Sequence, residues 1–143
     1  MRRVSTLHKS VPVKGVMSRR LVTAEPLESL ADAAYRMRES EVGALAVVEG
    51  DRLVGILTER DLLRAMADGC SPRVTEISRY MTPEPLTIEA GADVFEAAAM
   101  MVGHRVRHLP VMDGGRLAGL VSVRDLLSHD AWAEAPPVAI EPW

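Results

Sequence analysis

Apolar residues at helical spacing, Leu30, Ala33, Ala34 and Met37, return 64 positions later (94 − 30) as Val94, Ala97, Ala98 and Met101. Each stripe predicts a helix with one buried face of small side chains. Two short apolar runs follow each stripe, 44–48 and 53–57 about Glu49-Gly50-Asp51, then 108–112 and 117–121 about Asp113-Gly114-Gly115. Runs of that length broken by glycine predict β-hairpins, the glycine supplying a positive φ at the turn. Beyond Thr58 and Ser122 helical spacing resumes, with Leu62, Leu63 and Met66 on one face and Leu126 and Leu127 on its equivalent. Pro26 suits a first helical turn, where its missing N–H has no partner to lose, and Gly69 suits a helix end. Upstream, Val13, Val16 and Met17 match Ile77, Tyr80 and Met81, so a lead-in turn and strand open each unit. The predicted unit is strand, helix, strand, strand, helix, an α/β architecture used twice.

The same offset pairs Thr23 with Thr87, Glu25 with Glu89, Val47 with Val111, Gly55 with Gly119 and Arg60-Asp61-Leu62-Leu63 with Arg124-Asp125-Leu126-Leu127, all identical. A supersecondary unit repeated at constant register implies two copies related by pseudo-twofold symmetry, with the seam between them as the natural place for a ligand. The expected organisation is an N-terminal extension (1–12), a first repeat (13–67), a Gly/Ser/Pro linker (68–75), a second repeat (76–129) and a mobile tail (130–143) that carries Trp132 and Trp143.

Composition narrows the class. With 143 residues, 48% of them hydrophobic and 26% charged, the chain suits one compact domain rather than disorder. Its net charge, 17 − 20 = −3, gives the whole molecule no pull toward nucleic acid or anionic membrane. No apolar run approaches the roughly 20 residues that span a bilayer, and the opening residues lack the apolar core of a secretory signal, so a cytoplasmic location is expected. Cys70 is the one cysteine and is expected to be a spectator thiol.

The repeated segment Gly55-Ile-Leu-Thr58-Glu-Arg-Asp61, echoed as Gly119-Leu-Val-Ser122-Val-Arg-Asp125, puts a hydroxyl at a strand's end and a carboxylate three residues on. One reading is a helix cap, with the acid near the positive end of the helix dipole. The other is a ligand site, in which the hydroxyl and free N–H groups face a phosphate or ribose oxygen and the carboxylate accepts from a ribose diol. The two are compatible.

Paired repeats with Met17-Ser18 and Met81-Thr82 openings, a Val-Arg-His-Leu-Pro-Val strand at 106–111 and a duplicated Gly-x-x-[Thr/Ser]-x-Arg-Asp resemble cystathionine β-synthase (CBS) domains. Two such repeats form a Bateman module, and the resemblance spans about residues 13–128. It implies a regulatory, non-catalytic α/β module with two clefts for adenosine-containing ligands such as AMP, ADP, ATP, NAD or S-adenosylmethionine. It also implies a homodimer that signals to an effector protein in trans. Carried over residue by residue, one cleft uses Thr58 and Asp61 with Thr82, Thr87, Val106, Arg107 and His108. Its twin uses Ser122 and Asp125 with Ser18, Thr23, Val42, Gly43 and Ala44. Aromatic residues are only 3% of the chain and none falls at these positions, so an adenine there would lie between aliphatic side chains.

The twins differ in charge, because Arg105, Arg107 and His108 stand where the first copy has Glu41, Gly43 and Ala44. The Asp61 cleft is therefore expected to hold phosphates better, with Arg19 and Arg20 partly offsetting this in the other; alternatively Arg105 and Arg107 are simply solvated. His104 and His108 stand four apart, but not on one continuous helix and without cysteine, so no metal is expected; His8 and His129 lie in the termini. Met37, Met66, Met100 and Met101 are expected as core filler. Without a base beside either hydroxyl an autonomous enzyme is not expected, nor does the acidic, hairpin-rich chain suit DNA binding. The competing function is a structural dimerisation module with empty clefts, its Ala31, Ala33, Ala34 and 97–99 alanines permitting close helix packing.

Overall fold

The computed structural model describes residues 10–128; the terminal tryptophans, His8 and His129 lie outside the described residues. A 3-10 turn at Val13–Gly15 precedes β1 (Thr23–Ala24), α1 (Leu30–Ser40), β2 (Ala44–Glu49), β3 (Arg52–Thr58) and α2 (Glu59–Ala67). A second, at Ile77–Arg79, precedes β4 (Thr82–Pro83), β5 (Ile88–Glu89), α3 (Val94–His104), β6 (His108–Asp113), β7 (Arg116–Ser122) and α4 (Val123–Leu127). Both hairpins form at the glycine-marked turns, where Gly50 (φ 60°) and Gly114 and Gly115 (φ 58° and 80°) take the left-handed conformations a tight hairpin needs.

The lead-in is where the chain departs from a plain tandem repeat. It holds a second pairing segment besides the expected strand, β4 in the second copy and an isolated bridge at Ser18 in the first. β1 and β5 run parallel to β2 and β6 of their own copy. The segment before each crosses over: β4 pairs antiparallel with β3 of the first copy (Ile56 with Thr82), and Ser18 pairs with Leu120 of the second. Apolar residues follow the crossing. Val13 is fully buried in a core with Ile88, Val94, Leu109 and Val121, while Ile77 is buried with Leu30, Leu45 and Leu57. Each copy's lead-in thus completes the other copy's core.

Helices start and stop where local chemistry dictates. Ser29 caps α1 by accepting from Asp32 N–H, and Asp93 caps α3 by accepting from Phe95 N–H. Two more α1 amides, Leu30 and Ala31, donate to Thr75 and Pro72 carbonyls, so the inter-repeat linker covers that helix's open end. Pro26 lies in the preceding turn, not in the helix, because Ser29 supplies the cap three residues later. Glu41 and Arg105 end α1 and α3 in left-handed conformations (φ 54° and 56°), and Gly69 follows α2 at φ 75°.

The stripes 30/33/37 and 94/97/101 are buried, whereas Ala34 is exposed. The expected α2 face is rotated: Asp61 and Ala65 point inward, leaving Leu63 and Met66 67% and 77% exposed, with Leu127 exposed on α4. Met66 is therefore surface, not filler, while Met37 and Met101 are core. Cys70 is half-buried against the first core with a free thiol.

Candidate functional site

Strand alternation sorts the sheet residues into two faces. Leu45, Val47, Leu57 and Ala24 face the helices of the first core, as Leu109, Val111, Val121 and Ile88 do in the second. The alternate residues Ala44, Ala46, Ile56 and Pro110 are buried yet belong to neither core. They are covered where the bare faces of the two sheets meet, β3 lying against β7. Cross-strand partners share a face, and the registers Thr23 with Ala46, Ala44 with Thr58 and Ile56 with Thr82 put Thr23, Ala44, Thr58 and Thr82 on the first sheet's bare face. His108 with Ser122, and Ser18 with Leu120, put His108, Ser122 and Ser18 on the second's.

The remaining expected residues are placed less uniformly. Gly43 and Arg107 lead into the middle strands, where their carbonyls accept from Glu59 and Val123 N–H at 3.1 and 2.9 Å. Each helix's first turn is thereby tied to the seam. Val42 and Val106 are half-buried against the cores, their amides closing helix ends on Met37 and Met101 carbonyls. Thr87 lines a separate hollow of about 300 Å³ at the hairpin tips, with Arg52, Glu84 and Met112. Arg105 and Arg107 are exposed.

Both hydroxyl–carboxylate pairs are capping boxes. Thr58 N–H donates to Asp61 Oδ2 at 2.8 Å and Asp61 N–H to Thr58 Oγ1 at 3.4 Å; the Ser122–Asp125 distances are 2.8 and 3.1 Å. The carboxylates then diverge. Asp61 is 6% exposed, also receives the Thr58 hydroxyl on Oδ2 at 3.2 Å, and its Oδ1 lies 3.4 Å from Arg64 Nη2. Asp125 is half-buried, and its Oδ1 has no partner among the described residues. The caps therefore occupy one oxygen of each acid and leave the other turned from the backbone.

Gly43 is where the seam is tightest. A Cβ there would fall 2.9 Å from Glu59 Oε1 and 3.3 Å from His108 Nε2, so the missing side chain makes room for both. Burial pushes the His108 imidazole below its ordinary pKa, against the opposing pull of Glu59 and Asp125 and with Arg107 reinforcing the fall. The acids that face His108 are thus Glu59 and Asp125; no contact with Asp61, its expected cleft partner, appears among the described interactions. Sequence reading passed over Glu59, Arg64 and Tyr80. Arg64 was signalled by its i,i+3 spacing from Asp61, whereas Tyr80 carried no local signal. Gly43 and Glu59 also line, with Met37, Arg38, Val42, Leu62 and Arg124, a depression of about 360 Å³ that runs from the helical surface to the seam. No helix among the described residues is long and apolar enough to cross a membrane.

Two helix-backed sheets that face each other, cross their lead-ins and end in duplicated capping boxes define a tandem α/β module. The chain belongs to the CBS domain family, whose model matches it twice, at residues 13–68 and 74–131. An uncharacterised protein of Methanopyrus kandleri is 35% identical over 130 residues, 89% of this chain and 66% of that protein. Among solved structures, a Pyrobaculum aerophilum CBS-domain protein complexed with AMP superimposes with a TM-score of 0.79 at 26% identity, covering 85% of this chain and 94% of that one. The CBS domain pair of protein MJ0100, complexed with 5′-methylthioadenosine and S-adenosylmethionine, does so at 0.77 and 26%, covering 83% and 94%.

Proposed function

We propose that this chain is a regulatory, non-catalytic module that binds adenosine-containing ligands in the two clefts between its sheets and signals their presence to a partner protein in trans. The observation that carries the reading is the open Oδ1 of Asp125, a carboxylate acceptor beside Ser122 and Ser18 at the rim of the sheet seam. Asp61, Thr58 and Thr82 repeat the placement in the twin cleft, where Asp61 Oδ1 is also 3.4 Å from Arg64 Nη2. A carboxylate oxygen near the Ser18 and Thr82 hydroxyls suits a vicinal diol, and the half-buried aliphatic side chain of Leu120 suits an adenine. The AMP and S-adenosylmethionine complexes of the related pairs support that chemistry. Ligand bridging both sheets would favour one relative arrangement of the repeats and so alter the surface a partner meets.

The test is a melting scan of the protein with AMP, ADP, ATP, NAD or S-adenosylmethionine, since a ligand specific for the folded state raises stability by mass action. A rise with at least one is expected; no response to any of them contradicts the reading. A second reading, a homodimerisation module, is favoured by Tyr35, Leu63, Met66, Val102 and Leu127, apolar side chains left exposed on the four helices. A dimer that forms without ligand and a melting curve that ignores all five compounds would together select it.

A further inference from the structure

Arg64 makes three contacts with two residues, Asp61 and Tyr80. Its guanidinium lies 3.4 Å from Asp61 Oδ1, donates to the Tyr80 carbonyl at 2.9 Å and stands over the Tyr80 ring at 5.6 Å from its centroid. Tyr80 in turn donates its hydroxyl to Asp68, the residue that ends α2, at 2.9 Å. Two residues beyond Tyr80 is Thr82, on the crossing strand that forms one wall of the Asp61 cleft. The tie therefore joins the cleft's acid to the crossing strand that flanks it. It has no counterpart in the other cleft. At the positions 64 residues away, Ser128 (64 + 64) bonds back to its own helix through the Arg124 carbonyl, and Val16 (80 − 64) replaces the tyrosine.

We propose that Arg64 is a positioning residue for ligand in the Asp61 cleft, holding the crossing strand of the second repeat against the carboxylate that grips the diol; this rests on the cleft reading above. The contact geometry decides between positioning and blocking. The close, directional bond of Arg64 goes to the Tyr80 carbonyl, whereas Asp61 Oδ1 is met only as an ion pair and keeps lone pairs for a diol. The planar fork of Arg64 spans both partners as a lysine cannot. The Asp125 cleft has no such brace, so the two clefts respond differently to the same change.

Calorimetric titration of the full chain with AMP tests this, using wild type, Arg64→Ala, Arg64→Lys, Asp61→Ala, Asp125→Ala and the Asp61→Ala/Arg64→Ala double variant. Arg64→Ala is expected to weaken, by about three- to tenfold, only the binding component that Asp61→Ala weakens. Arg64→Lys should recover little, and Arg64→Ala should add nothing once Asp61 is gone. Equal loss from both components, no loss, tighter binding, or full additivity in the double variant would overturn the positioning role. So would a single binding component that depends on Asp125 alone. Absence of any AMP binding by the wild type, with no melting response to the other adenosine compounds, would instead remove the cleft reading on which it rests.

Discussion

The two repeats share a backbone and differ in what surrounds it. The first is braced by polar ties: Arg36 holds Glu28 through two bonds (2.6 and 3.1 Å) and the Thr23 carbonyl at 2.7 Å, and Arg64 joins Asp61 to Tyr80. The second has Met100, Ala92, Ser128 and Val16 at those positions and packs Phe95, Met100 and Val16 on its core instead. Capping boxes, hairpin turns and left-handed helix ends are kept in both, because each answers a backbone requirement that duplication reproduces. The difference teaches that the fold fixes where two clefts lie, while side chains one layer away decide how each is held.

Four measurements probe that contrast. The largest effect is expected in the cores, where Leu45→Ala and Leu109→Ala, both at fully buried positions, should each cost about 2–5 kcal/mol in urea unfolding. Losses of similar size in one cooperative transition would show the halves to be energetically equivalent and joined by their exchanged lead-ins. Two separate transitions would break the equivalence. Next come the glycines under the crossing strands. A Cβ on Gly119 would sit 2.6 Å from the Ser18 carbonyl oxygen, whereas one on Gly55 would meet first the Met81 sulfur, a movable side-chain atom. Gly119→Ala should cost about 1–3 kcal/mol and Gly55→Ala less, read from the same unfolding curves.

Removing a cap is a smaller perturbation. Ser122→Ala and Thr58→Ala should each lower stability by about 1 kcal/mol, Thr58→Ala the more because its hydroxyl also donates to Asp61 Oδ2. Equal losses would mean that this extra bond adds nothing to the cap.

The smallest effects are acid-dependent. Burial holds the His108 imidazole below its ordinary value, so the neutral form belongs to the fold. The stability it contributes is present above the ordinary histidine range, about pH 6.5, and is lost as pH falls through the lower folded value. His108→Gln should flatten the decline in melting temperature between about pH 7.5 and 5.5, whereas an unchanged slope would place the proton uptake elsewhere. Glu28, held below the usual carboxylate range by its hydrogen bond to Arg36, has the same sign at more acid pH: its contribution is lost only as pH falls through that depressed value. Arg36→Met, the residue type the second repeat uses there, should remove it.

Much of this architecture was legible in the chain. Constant register exposed the duplication, the glycines marked both hairpins, and Thr58-x-x-Asp61 and Ser122-x-x-Asp125 announced caps that the structure contains. The crossing of the lead-ins was legible only through the family resemblance, which set Thr82 with Thr58 and Ser18 with Ser122, because two or three residues such as Thr82 and Pro83 carry no periodicity that names the sheet they join. The α2 face was misjudged since Leu63 and Met66 are apolar yet the helix turns Asp61 and Ala65 inward, a choice made by the capping box and not by hydrophobicity. Pro26 was misplaced because an equally strong signal, Ser29 before the Leu30 stripe, set the start. Glu59 was overlooked beside His108, since nothing local in the sequence shows that the two approach each other at Gly43, where no side chain intervenes.

A crystal structure of the protein grown with AMP tests the central claim most directly. The account predicts AMP in the seam between the two sheets, with its ribose hydroxyls within hydrogen-bonding distance of Asp125 Oδ1, Asp61 Oδ1 or both. AMP bound away from the seam, with both carboxylates untouched, would contradict it.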